Sequence, residues 1–459
     1  MSERVKYLLD EESIPKHWYN IEADLKINTP PPMDISTGKA CEVAKLERIF
    51  AKGVVEQELS RERYIPIPEP VREIMRQWRP SPLFRARRLE KRLDTPARIY
   101  FKYEGVSPSG SHKTNSAIAQ AFENKRAGIE KVATETGAGQ WGSALAQACQ
   151  IFGLESRIYM VKCSYEQKPY RKAIMELFGG TVIPSPSTMT KAGLAVLQKD
   201  PYCRGSLGIA ISEAIEDVLK YDKTRYCLGS VLNHVLLHQT VIGQEAMKQM
   251  DMAGDYPDIV IGACGGGSNF AGIAFPFLGE KLRGGKDVDI LGVEPAACPS
   301  LTAGKYAYDF GDTAGLTPAM KMYTLGSSFI PAAVHAGGLR YHGMAPQISN
   351  VMAQGLMRAR TVQQLDVFKS AVEFARAEGI IPAPESAHAI AAAIDEALEC
   401  KKNGVSKAIL FNLSGHGHVD MAAYMEYFCG NLSNYDYPKE EIAMALSCLP
   451  VCRENGNAQ

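Results

Sequence analysis

The chain has 459 residues, more than one simple core accommodates, so two or three packed lobes are expected. Lys plus Arg (51) balance Asp plus Glu (51), which excludes a global field for nucleic acid or an anionic membrane and requires any phosphate site to be local. With 46% apolar and 22% charged residues the composition excludes widespread disorder, and no stretch reaches about 18 uninterrupted apolar residues, so neither export nor a membrane span is expected and the location is read as cytoplasmic.

Residues 1–80 are rich in Pro and charge, with Thr29-Pro30-Pro31-Pro32 and Pro66-Ile67-Pro68-Glu69-Pro70 as stiff pieces. They read as an arm with lead helices that wraps the body as a lid or interface. From residue 97 short β-branched runs alternate with helical patterns: a strand at 98–103, a helix at 115–125, a strand at 131–134, a helix at 142–152 and a strand at 156–161. The alternation resumes with a helix at 170–178 and strands at 181–183 and 258–262, then a helix at 269–277 and a strand at 289–293. Helices at 362–377 and 386–399 precede a last strand at 407–412. Such alternation marks βαβ units around a parallel sheet, an α/β fold. Residues 302–346 are Gly-rich and poor in periodic pattern, and so long that a functional loop is expected. The eleven cysteines stand singly, without a C-x-x-C pair or a histidine grouping at zinc spacing; they read as reduced thiols, and no metal site is expected.

Between the first strand and its helix lies Gly110-Ser111-His112-Lys113-Thr114-Asn115. A lysine partly desolvated beside a helix N-terminus has a lowered pKa, which frees its amine to attack an aldehyde. A solvated lysine is the competing reading, so Lys113 needs partners. Gly265-Gly266-Gly267-Ser268-Asn269 follows an apolar strand and opens a helix, where three glycines let successive N–H groups converge on one anion. The run lacks both the Lys-Ser/Thr ending of a P-loop and the G-x-G-x-x-G spacing of a dinucleotide fold, which leaves a phosphate cradle of another kind or an empty tight turn. In Glu135-Thr136-Gly137-Ala138-Gly139-Gln140, small residues with free amides and a hydroxyl suit an α-carboxylate, and Glu135 at a strand's carboxyl end can move protons; a structural turn is the alternative. After the last strand, Leu413-Ser414-Gly415-His416-Gly417-His418 places a neutral hydroxyl where a planar ring nitrogen can rest. His416 and His418 read as loop groups rather than metal ligands.

With these motifs in order, residues 81–421 resemble tryptophan synthase β chains. Matching runs include His112-Lys113-Thr114-Asn115, Glu135 through Gln140, Gly265 through Asn269, Glu378-Gly379-Ile380-Ile381-Pro382-Ala383 and Asn412-Leu413-Ser414-Gly415. The resemblance implies a type II pyridoxal-phosphate fold of two lobes, each a twisted, mostly parallel sheet flanked by helices. The N-terminal lobe would span 81–260 and carry Lys113, with a mobile inner part at about 135–230. The C-terminal lobe would span 261–459 and carry the glycine loop and Ser414. The implied cofactor is pyridoxal 5'-phosphate, with a monovalent cation admitted beside it. The implied activity is a carbon–oxygen lyase reaction that condenses L-serine or O-phospho-L-serine with indole to give L-tryptophan, in a homodimer that can take an α subunit as partner.

By position, Lys113 would condense with the cofactor's aldehyde and later remove the α-proton. His112, Asn115, Ser230, Gly265, Gly266, Gly267, Ser268 and Asn269 would surround the cofactor, and Ser414 would bond the ring nitrogen. A neutral hydroxyl there makes the ring a weaker electron sink, which favours elimination and replacement at Cβ over transamination. Thr136, Gly137, Ala138, Gly139 and Gln140 would bind the substrate carboxylate. Glu135 would assist departure of the β-oxygen and take the indole proton, and Glu378 matches a family glutamate read as an electrostatic tuner near the ring.

Departures from the common type are Trp141 in place of histidine, His416 and His418 in place of Arg or Asp, the long N-terminal lead, and Leu339-Arg340-Tyr341-His342-Gly343-Met344-Ala345-Pro346. They resemble the second, longer class of β chains. Arg340 and His342 either bind a substrate anion or shape a loop, and Lys168 and Arg171 either select a phosphorylated donor or stabilise a helix. The rival readings are a related enzyme of this fold, such as a serine or threonine deaminase, and a silent subunit that only binds a partner. Glu135 before Thr-Gly-Ala-Gly-Gln separates the first, since a simple deaminase does not need it; the colour of a bound cofactor separates the second.

Overall fold

The computed structural model describes residues 4–436 and 439–450. Its seven-stranded sheet runs in the order Lys6–Tyr7, Leu83–Arg85, Arg98–Tyr103, Ala408–Leu413, Ile259–Ala263, Asp289–Pro295 and Arg358–Val362. Lys6–Tyr7 pairs antiparallel with Leu83–Arg85, which pairs antiparallel with Arg98–Tyr103, and the remaining pairings are parallel. Ile259–Ala263 and Ala408–Leu413 are buried at every position, as a parallel sheet covered by helices on both faces requires. Strands from both sides of residue 260 share this sheet, because Arg98–Tyr103, the last of the N-terminal block, lies beside Ala408–Leu413.

A second, all-parallel sheet is drawn from one stretch of chain, in the order Thr181–Ser185, Glu155–Val161, Lys131–Thr136 and Thr224–Tyr226. The expected helices and strands are all present, most of them longer by one or two residues at an end. The expected loop at 302–346 is half sheet instead. Lys305–Phe310 and Ala319–Thr324 form an antiparallel hairpin that also pairs with Met33–Asp34. Alternation in Lys305–Phe310 is weak because five of its six residues are part-buried or exposed, so no period-2 signal marks it.

The arm packs against the body: Trp18 and Tyr19 are buried, and the Tyr19 N–H donates to Thr240 Oγ1 at 2.9 Å. No helix among the described residues is long and apolar enough to cross a membrane.

In a parallel sheet, loops at the carboxyl edge converge. Three neighbouring strands of the large sheet, Arg98–Tyr103, Ala408–Leu413 and Ile259–Ala263, lead respectively toward Lys113, into Ser414 and into Gly265. Two neighbouring strands of the small sheet, Lys131–Thr136 and Thr224–Tyr226, lead into Gly137 and toward Ser230. The two carboxyl edges thus supply the loops that carry Lys113, Ser414, the glycine run, Gly137 and Ser230.

Candidate active site

Lys113 immediately precedes the helix Thr114–Arg126, and its Nζ donates to the Gly229 carbonyl at 2.9 Å. Burial brings its ammonium down to about 8, against the opposing pull of the Glu135 and Glu385 carboxylates. Two adjoining cavities of about 510 and 450 Å³ share Lys113, Gln140, Ser230, Gly266 and Gly338. The first also takes in Glu135, Thr136, Gly137 and Ala138, and the second Gly265 through Asn269, His112 and Ser414.

The glycine run is a cradle because close neighbours leave no room for side chains. A Cβ on Gly266 would stand 2.4 Å from Ser230 Oγ, and one on Gly265 would stand 2.6 Å from the Gly338 carbonyl. Gly267, at φ +102°, turns the chain into the helix Ser268–Leu282, whose first N–H groups have no partner within the helix. Asn269 spends its side chain on support: its amide oxygen accepts from Asn412 Nδ2 at 3.0 Å, and its amide donates to the Ala263 carbonyl. Burial, helped by the charge on Lys113, pushes His112 down to about 3 and keeps its ring neutral. Its Nδ1 faces the Ser414 carbonyl at 3.3 Å and so carries the proton, leaving Nε2 to accept from Ser268 Oγ at 3.1 Å. His112 therefore reaches the cradle through Ser268.

Ser414 Oγ lies 2.7 Å from Ser386 Oγ. When Ser386 donates, the Ser414 proton is free for an acceptor in the cavity, as an unprotonated ring nitrogen requires. Across the cavity, burial raises Glu135 to about 7, and the Tyr226 hydroxyl donates to its Oε2. A carboxyl poised near neutral is matched to giving and taking protons. Val231, beside Ser230, holds φ +74°, an outlier for a β-branched residue and a strain characteristic of functional loops.

Thr136, Gly137, Ala138 and Gln140 line the cavity. Thr136 also accepts from the Gly142 N–H at 3.1 Å, which caps the helix Gln140–Phe152. Gly139 faces the other way: its φ is +93°, and a Cβ there would stand 2.6 Å from Arg171 Cβ. Trp141 lines the same cavity and donates from Nε1 to Thr134 Oγ1 at 2.7 Å.

Two expected cofactor residues are not brought to the cavity. Asn115 follows Lys113 by two residues, about 200° round the helix, so the turn that aims the lysine inward aims Asn115 away. Its amide is enclosed by Trp78, Arg79, Glu104 and Gln239. Glu378 ends the helix Gln364–Glu378 and accepts from the Leu89 N–H at 2.8 Å and Arg88 Nη2 at 3.2 Å, capping the helix Arg87–Leu93. The glutamate at the cavity is Glu385, which accepts from Gln140 Nε2 and from the Gly338 N–H, both at 2.9 Å. The sequence reading started that helix at 386 and so passed over it; Pro384 at the first helical position, with an acid directly after it, was the available signal. Tyr226, Ser386 and Gly338 carried no motif and were also missed.

Around the Thr136–Gln140 loop stand three cations and one carboxylate. Asp420 accepts from Lys168 at 2.6 Å and from Arg171 Nη2 at 3.5 Å, while Nε and Nη1 of the buried Arg171 have no hydrogen-bond partner. Arg340 donates to Ser164 Oγ at 2.8 Å and to Cys163 Sγ at 3.4 Å. His342 bonds the Phe310 carbonyl at 2.9 Å and belongs to the hairpin. His416 and His418 stack with ring centroids 4.5 Å apart. Among the described residues no three His, Cys, Asp or Glu gather as a metal site. Behind Glu135 an apolar chamber of about 650 Å³, walled by Leu46, Phe50, Val54 and Met320, shares Ile211, Leu228, Val231 and Tyr341 with the cavity.

Residues 74–415 match the pyridoxal-phosphate dependent enzyme family. The chain is 59% identical to a tryptophan synthase beta chain 2 of Methanosarcina mazei, over 94% of this chain and 97% of that one. It is 57% identical to the protein of the same name from Aquifex aeolicus, over 94% and 100%, and 54% identical to a tryptophan synthase beta chain of Pyrococcus horikoshii, over 96% of each. Among solved structures, a processed threonine deaminase isoform 2 from Solanum lycopersicum superposes with a TM-score of 0.56 at 20% identity, over 76% of this chain and 86% of that one, a likeness of fold. Site and kinship agree: the chain belongs to the pyridoxal-phosphate-dependent enzymes and, within them, to the tryptophan synthase beta chains of the second type.

Proposed function

We propose that this site condenses a serine-type donor with indole to form L-tryptophan by replacement at Cβ. The observation that carries the reading is the shared cavity in which Lys113 faces a carboxyl raised to about 7, with an apolar chamber behind that carboxyl. The cradle, the neutral His112, the amine and the free Ser414 proton fit pyridoxal phosphate. When bound, the cofactor supplies an aldehyde for the amine and a ring that draws electrons from the donor's Cα.

Amides of Gly265 through Asn269 hold the phosphate, with Ser268 set by His112 and Ser230 close by. Ser414 donates to the ring nitrogen, and Ser386 fixes its hydroxyl. Glu385 would hold Gln140 and Gly338 in place at the wall of the cavity that takes the cofactor. Thr136 through Gln140 take the donor's carboxylate on their amides. Lys113, near 8, removes the α-proton at neutral pH. Glu135 in its acid form protonates the departing β-oxygen, and as carboxylate it accepts the proton from the indole. A simple deaminase needs neither Glu135 at this place nor the apolar chamber.

The cations round the Thr136–Gln140 loop favour O-phospho-L-serine over L-serine as donor. Lys168, Arg171 and Arg340 outnumber Asp420 around the loop that would take the donor's carboxylate, and the excess positive charge would attract a further anionic group on the donor. Assay of both donors with and without indole tests the reading: tryptophan from either donor, with a larger kcat/KM for phosphoserine, supports it. Formation of pyruvate at the same rate with and without indole overturns it.

The same reading carries a homodimer, an α subunit as indole source, a bound monovalent cation and a cytoplasmic location. It also carries movement of the inner part at about 135–230, which holds the small sheet, over bound donor.

A further inference from the structure

Behind the helix that carries Lys113 lies a polar cluster with no water-accessible member. Arg79 bonds Glu104 at 2.9 Å and grips Glu245 with Nε and Nη2, each at 2.9 Å. Lys102 bonds Glu245 at 2.7 Å and Gln249 Oε1 at 2.8 Å. Two cations thus face two carboxylates, and side chains of all four are 0% exposed. Asn115 is the link from this cluster to the site. Its Oδ1 accepts from Trp78 Nε1 at 3.1 Å and Arg79 Nη1 at 3.0 Å, and its Nδ2 donates to Gln239 Oε1 at 3.0 Å and Glu104 Oε2 at 3.3 Å.

All four hydrogen-bonding positions of that amide are used, so the planar group can rotate only by breaking a buried bond. Asn115 sits in the first turn of the helix, and fixing it fixes the rotation of that turn about the helix axis. Lys113 leaves the same turn on the opposite side, toward the Gly229 carbonyl. A turn free to rotate by even a few degrees would swing a side chain as long as lysine by an ångström or more at its tip. We infer that Trp78 and Arg79, at the end of the N-terminal arm, are positioning residues for Lys113 and act on it through Asn115. The arm is then part of the foundation of the reactive amine as well as a cover of the body. The inference rests on Lys113 being the group that meets the cofactor.

The test is competitive acetylation of the cofactor-free full-length chain with trace acetic anhydride across pH, read at Lys113 by peptide mass spectrometry, alongside steady-state kinetics and thermal melting of the holoenzyme. In Asn115→Ser the Lys113 midpoint is expected to rise by about half a pH unit or more as the amine loses its enclosed place. Tryptophan formation is expected to lose about fivefold or more in kcat, with the donor KM changed less than about twofold. Trp78→Phe, which removes one of two donors to Asn115 Oδ1 and keeps the packing, is expected to shift both readouts in the same direction by less, and it decides the matter should Asn115→Ser fail to fold. A lowered melting temperature with the Lys113 midpoint and kcat unchanged would show a purely structural cluster and overturn the inference. Borohydride fixation of the cofactor to a different lysine would remove its basis, whereas loss of indole dependence with the Lys113 shift intact would count against the proposed reaction and leave the positioning role standing.

Discussion

The two sides of the helix that starts at Thr114 treat polar groups in opposite ways. Behind it, Arg79, Lys102, Glu104, Glu245 and Asn115 are buried and fully mutually bonded. In front, groups equally removed from water keep unspent capacity: the Lys113 amine bonds one carbonyl, Ser414 has a proton to give, and Arg171 has two nitrogens without partners. In the rear cluster pairing opposes burial: Arg79 and Lys102 hold Glu104 down to about 2, although burial still pulls Lys102 below its ordinary value. The front leaves burial uncompensated, so Glu135 rises and Lys113 falls toward neutrality. Burial by itself is therefore no marker of function in this molecule; the two sides differ in what each buried group keeps to give or accept.

The sharpest break of the contrast is Lys113→Ala, expected to abolish turnover while the glycine cradle still retains part of the cofactor, checked by near-visible absorbance and single-turnover assay. Next, Glu135→Gln keeps the shape and the Tyr226 contact but cannot move a proton. Tryptophan formation should fall by about 10²- to 10⁴-fold, measured as kcat for indole addition, and a rate equal to the parent's would end the role given to Glu135.

The same variant gives a pH signature in stability. The folded state raises Glu135 from 4.5 to about 7, so between those values it binds more protons than the unfolded chain, and stability falls as pH rises through that window. Glu135→Gln should thus match the parent near pH 4 and be more stable above pH 7, by up to about 3 kcal/mol at 1.36 kcal/mol per pH unit. Lys113 adds the complementary trend: lowered from 10.5 to about 8, it regains stability as pH climbs through that interval. Parallel urea titrations at several pH values check both. The smallest effect separates two neighbouring glutamates. Glu378→Gln should leave kcat within about twofold and lower stability by about 1 kcal/mol through a weakened helix cap, whereas Glu385→Gln should change the cofactor's absorbance and kcat. An altered spectrum from Glu378→Gln alone would return that residue to the site.

Much of the site was legible because its backbone parts depend on local sequence. Gly265-Gly266-Gly267-Ser268-Asn269 can form a cradle only through glycine's freedom at a strand-to-helix turn, Ser414 stands just past an apolar strand, and His112-Lys113 stands at the start of a helix. The errors fell where one turn of helix decides direction. Asn115 and Glu378 had the right residue type in a matching motif, yet a rotation of about 200° sends Asn115 into the rear cluster, and a helix end sends Glu378 to the Leu89 N–H. Glu385, Ser386 and Tyr226 enter the site from elements remote in sequence, and only packing brings them there.

From sequence alone came the α/β alternation, the lysine, the anion cradle and the proton-moving carboxyl, since period, turn chemistry and residue type are local properties. Tertiary structure alone decided which glutamate meets the cavity, that the arm's Trp78 and Arg79 stand behind the lysine, and that Glu135 and Lys113 are both held near neutrality. Those outcomes depend on how much solvent and how many partners each group retains, and both are set by surfaces brought together from distant parts of the chain.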